Sequence, residues 1–153
     1  MHLFVPNRRV DYLSTRQAGL FFNVDSSVGQ NGVNSNAIDI YLVQFLMRRI
    51  AERLSVTWGK QRDRLLAVKV NGICTPVTID GIKAIQEMFK RKNPATIVDG
   101  LVAVAPDYYY GAGVYTIVVL NTTTRRKYPE LWPRLQDFPD CPGPLKEKVP
   151  TLL

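Results

Sequence analysis

At 153 residues, 46% of them hydrophobic and 22% charged, the chain is long enough to close a single hydrophobic core and has the balance of an ordinary globular protein. Its 20 Lys and Arg against 13 Asp and Glu leave a net charge of +7, which attracts polyanions without choosing among them. No window approaches the roughly 18 consecutive apolar residues of a membrane span. A single histidine, His2, sits at a chain end expected to fray, so triad and zinc-hydrolase mechanisms lack their base. No H-E-x-x-H, G-x-S-x-G or P-loop occurs. The expectation is a protein that is not an enzyme, with no cofactor and no metal.

Residues 1–35 read as irregular, with a short strand near Leu20–Val24 and a polar stretch, SSVGQNGVNSN, ahead of the first helix. Arg8 and Arg9 are followed by Asp11, Arg16 and Gln17, where a signal peptide needs an unbroken apolar stretch. No conventional secretion signal is therefore expected, and a role in the periplasm or wall requires another delivery route. Asn36 is the expected N-cap of the first helix, with Asp39 suited to its positive end. Leu42, Val43, Leu46, Met47, Ile50 and Leu54 share one face, with Gln44, Arg48 and Glu52 on the other.

SVTWGKQRDRLLA at 55–67 reads as a loop, with Lys60, Arg62 and Arg64 around Trp58. Asn71 and Gly72 form an N-G pair, a strong turn signal. Pro76 is placed in the loop ahead of Thr78, the expected N-cap of a helix with Ile79, Ile82, Ile85 and Phe89 at helical spacing. A second turn follows at Val98, Asp99 and Gly100. The connection after it carries Tyr108, Tyr109 and Tyr110 followed by Gly111 and Gly113. YTIVVLNTTTRRKY at 115–128 has the composition of a strand and also helical spacing at Ile117, Leu120 and Thr124. Beyond Tyr128, six prolines from Pro129 to Pro150 exclude long regular elements, while Leu131, Trp132, Leu135 and Phe138 are placed to pack this tail back on the domain. Cys74 and Cys141 lack metal-site spacing, and free thiols are favoured over a disulfide.

The chain contains an internal repeat. With Gln44 aligned on Gln86, IYLVQFLMRR at 40–49 lies over IKAIQEMFKR at 82–91, and each helix is followed by a V-[ND]-G turn.

The best-defined stretch, VNGICTPVTIDGIKAIQ at 70–86, resembles the core motif of the peptidoglycan-binding-like domain family, roughly V-D-G-x-F-G-P-x-T-x-x-A-V-x-x-F-Q. Val70, Gly72, Pro76, Thr78 and Gln86 match it, and the likeness extends over about residues 28–128. The resemblance implies a mainly α fold, a small three-helix bundle spanning 36–128, with an irregular extension at 1–35 and a proline-rich tail at 129–153. It implies a third helix opening at Thr116, and Asn71, Gly72, Pro76, Thr78, Gln86, Asp99 and Gly100 as motif positions. It also implies non-catalytic binding of peptidoglycan or another wall glycopolymer. Asn71 for Asp, Cys74 for an aromatic residue, Thr75 for Gly and the long connection before Thr116 depart from the family pattern.

From the residues themselves, the ligand-contact candidates are the aromatic groups of Tyr108, Tyr109, Tyr110 and Trp58 and the guanidinium groups of Arg48 and Arg62. Basic clusters recur at Arg48, Arg49 and Arg53, at Lys60, Arg62 and Arg64, at Lys90, Arg91 and Lys92, and at Arg125, Arg126 and Lys127. Three partners stay open: cell wall first, then a protein contacted as an adaptor of a phage tail, secretion apparatus or toxin system, and, less favoured, nucleic acid.

Overall fold

The computed structural model describes residues 1–4, 20–106 and 115–153. Five helices dominate them and make the fold mainly α: α1 (Ala37–Glu52), α2 (Gly59–Leu66), α3 (Pro76–Lys90), α4 (Thr116–Lys127) and α5 (Gly143–Lys148). Two short antiparallel ladders pin the ends of loops, one pairing β1 (His2–Phe4) with β2 (Phe21–Asn23), the other β3 (Val28–Gly29) with β4 (Leu101–Val102). Helix α1 touches all four other helices, and its Leu42, Val43, Leu46, Met47 and Ile50 are fully buried. The 115–128 segment is helical despite its β-branched composition, because Ile117, Leu120 and Thr124 share the buried face.

The repeat is built on two buried glutamines. Gln44 Oε1 accepts the N–H groups of Asn71 and Gly72, both at 3.0 Å, while Nε2 donates to Ile73 O at 2.8 Å and Thr78 Oγ1 at 3.1 Å. Gln86 does the same one unit later. Its Oε1 accepts from Asp99 N at 3.1 Å and Gly100 N at 2.8 Å, and its Nε2 donates to Leu101 O at 3.1 Å and Thr116 Oγ1 at 3.0 Å. Within each turn the first residue's side chain accepts the N–H two residues on, Asn71 from Ile73 and Asp99 from Leu101. Gly72 and Gly100 have φ of 73° and 71°, a region in which an L side chain is strained. Gln44, assigned by periodicity to the outer face of α1, is therefore fully buried. It occupies an apolar helix face because the 71–73 turn and Thr78 of α3 supply its partners.

The second helix starts earlier than expected. Thr75 is the N-cap, its hydroxyl facing Thr78 N, and Pro76 is the first helical residue. Proline suits that position, where its missing N–H would have no partner anyway. Thr78 instead lies inside the first turn, its hydroxyl turned to Gln44. Asn36 caps α1 as expected, accepting from Ile38 and Asp39 N–H.

Residues 55–67, expected as a loop, form a 3-10 turn at Val56–Trp58 and then α2. Only Leu65 of α2 is buried, too thin an apolar stripe to announce a helix. Arg64 fixes it to α3: Nε and Nη2 hold the Asp80 carboxylate at 2.9 and 2.8 Å, and Nη1 reaches Glu87 at 2.5 Å. The Arg64 hydrogen bonds hold the Asp80 carboxyl below its ordinary range.

The tail packs on α1. Trp132, Leu135 and Phe138 are buried, and Phe138 meets Phe45 and Tyr128 edge-on at 5.5 and 5.1 Å between centroids. Arg49 stands over both Phe45 and Phe138 and pairs with Asp140. The N-terminal end is held too, contrary to the frayed end expected: Met1 is buried, its amine 2.7 Å from Asp39 Oδ1, while Asp39 Oδ2 accepts from Asp25 N and Ser26 N. Cys74 is half-buried and Cys141 buried, and both are free thiols; burial pushes the Cys141 thiol up to about 11.

Two outcomes are expected. Gln86→Leu removes the acceptor of the buried Gly100 N–H and should destabilise the protein by about 2–4 kcal/mol, read as a lower urea midpoint at unchanged slope. Asp80→Asn should lose under about 1 kcal/mol at pH 7, since the pair is half exposed. The folded Asp80 pKa is depressed, so its contribution is present above the unfolded value near 4 and fades as pH falls through the folded value; thermal melts of variant and parent should converge in acid.

Candidate binding groove

The C-terminal halves of α1, α3 and α4 end on one side of the molecule, and a groove runs between them. One hollow, about 210 Å³, is floored by Ile50, Leu54, Ile85, Met88, Phe89 and Val119 and walled by Trp58, Ser55 and Thr123. A second hollow of about 190 Å³ continues along α3 and α4 past Tyr115, Val118 and Thr122. Phe89, Lys92, Val119, Thr123 and Arg126 line both, so the two hollows form one surface.

The rim is cationic. Arg53, Lys92, Arg126 and Lys127 line the first hollow, and among the described residues no carboxylate does. Positive side chains belong near helix C-termini, where the unpaired carbonyls carry negative charge, and two of the four serve that end. Arg53 Nη1 donates to Lys127 O, and Lys127 Nζ donates to Arg53 O at 2.6 Å. Arg53 also pairs with Glu130 at 3.0 Å and stands 3.8 Å from the Tyr128 ring. Lys92 and Arg126 are both exposed, and their side chains make no hydrogen bond or ion pair among the described residues. The Lys127 ammonium is lowered from its ordinary pKa, first by burial and then by Arg126, Arg53 and Lys92. The cluster therefore repels itself.

The ligand-contact residues expected from the sequence separate in space. Trp58 lines the groove, with Arg91 stacked 4.6 Å from its ring. Arg48 instead donates to Leu66 O and Val68 O, at the end of α2, and Arg62 Nε donates to Ala51 O at 3.2 Å. Both guanidinium groups hold backbone ends together, away from the groove. Tyr108, Tyr109 and Tyr110 lie outside the described residues. Phe89, Lys92 and Arg126 went unread as contacts, although the clusters at 90–92 and 125–127 were visible; nothing local in sequence brings two helix ends side by side.

Like charges that lower one another's proton affinity cost stability in the unliganded protein. Lys92→Gln with Arg126→Gln should therefore melt no lower than the parent, within about 0.5 kcal/mol of it or above, in low-salt thermal unfolding. Family models, curated proteins and solved structures were each compared with the chain, and none matches it.

Proposed function

We propose that this protein is a non-catalytic module that binds bacterial peptidoglycan, built as a three-helix unit (α1, α3, α4) of the peptidoglycan-binding type with a short added helix and a packed tail. The observation that carries the reading is the duplicated glutamine network. The residues on which the family resemblance rests are the ones that make it: Asn71, Gly72, Thr78 and Gln86, with Gln44, Asp99, Gly100 and Thr116 as their counterparts. A chance match has no reason to bring a turn glycine and a helix-opening threonine onto one buried glutamine, twice. Pro76 starts the helix that presents Thr78 to Gln44.

The binding surface in this reading is the groove, and its role is attachment. Among the described residues the groove's lining offers cations, hydroxyls and apolar side chains, a surface suited to holding an anionic chain.

Co-sedimentation with purified sacculi, in a salt series and with DNA as competitor, tests the proposal. Retention that persists in part at about 0.5 M salt, where long-range attraction is screened, and that excess DNA does not displace is the expected result. Absence of retention, or full displacement by DNA, would overturn it.

A further inference from the structure

We infer that the groove recognises the acidic stem peptide of the wall, with Lys92 and Arg126 contacting its carboxylates, rather than the glycan strand. This deepens the proposed function and rests on it. Three observations point the same way.

The first is charge. With Arg53 and Lys127 committed to each other's helix ends, Lys92 and Arg126 remain without an anionic partner among the described residues, and both border the two hollows. A carboxylate placed between them relieves the repulsion that already depresses Lys127. An uncharged stretch of sugar hydroxyls would leave it in place.

The second is the floor. Met88, Phe89 and Val119 offer apolar, half-buried surface, suited to the methyl and methylene groups of a short peptide. Each hollow is smaller than the roughly 300 Å³ at which pockets for whole small molecules begin, so each takes a side group of an extended chain. The phosphate backbone of a nucleic acid satisfies the rim but offers nothing to this floor.

The third is Trp58. Nucleic-acid bases stack on open aromatic faces, and the apolar face of a sugar ring needs a similar platform. The Trp58 ring, the one tryptophan in the groove, already has the Arg91 guanidinium 4.6 Å from its centroid, so one of its faces is occupied.

The experiment compares the full chain with its Lys92→Glu/Arg126→Glu and Lys92→Arg/Arg126→Lys variants, on intact sacculi and on glycan strands stripped of stem peptides by an amidase, the lactyl carboxylates that the cleavage frees being capped as amides. The parent should bind intact sacculi and lose at least ten-fold in affinity on stripped strands. Charge reversal should cost at least ten-fold on intact sacculi, with an unchanged melting temperature, and the charge-conserving variant should restore most of the loss. Equal binding of the parent to intact and stripped material, or a charge-reversed variant that binds like the parent, overturns the inference while leaving wall binding intact. A parent that binds neither material overturns the wall reading and the inference together.

Discussion

A buried carboxamide can stand in for a peptide group, offering one acceptor and two donors, and this protein uses that property to hold its loops. Gln44 and Gln86 each bind both faces of a turn and the first turn of the next helix, so a single side chain fixes where one unit ends and the next begins. Asn121 does the same for β2, accepting from Phe22 N at 2.7 Å and donating to Phe22 O at 2.9 Å. Asn23 then bonds the N–H and C=O of Ala105. These bonds cross up to 99 positions of sequence, so they order the chain at long range. Each such group is costly if left half paired, which makes the alternatives to this arrangement poor.

The same division between internal and external use separates the basic residues. Arg48 and Arg62 close helix ends, Arg49 anchors the tail between two aromatic rings, and Arg64 ties α2 to α3. Most of the clusters seen along the chain are thus structural once folded, and net charge alone overstates the surface available to a polyanion. Within the groove what remains is a pair, Lys92 and Arg126, brought together from different clusters.

Much of the architecture was legible. The V-N-G and V-D-G turns, Asn36 as a cap, the strand near Phe21–Asn23 and the packed aromatic tail follow from residue chemistry and spacing. The repeat was visible as an alignment, but its physical basis was not, because periodicity assigned Gln44 to the solvent face; a polar residue on an apolar face is explained only by partners 27 or more positions away. Helix α2 was missed because Arg64 and one leucine, rather than an apolar stripe, secure it. The groove was legible only in parts, Trp58 among them, since it is made by three helix ends that no local pattern brings together.

The groove lies where the two units of the repeat diverge. From Gln44 to the turn it binds, the chain runs 27 positions, enough for a turn and for α2, which covers parts of α1 and α3. From Gln86 to its turn it runs only 13, too few for an equivalent helix after α3. The second unit recovers most of the difference after its turn: Thr78 lies 34 positions from Gln44, and Thr116 lies 30 from Gln86. Shifting that length from before the turn to after it leaves Met88 and Phe89 at the end of α3 without the cover that α2 gives in the first unit. An apolar helix end left open in this way is a cost that packing alone does not explain, and its position beside Lys92 and Arg126, whose side chains have no partner among the described residues, is what the proposed binding surface rests on.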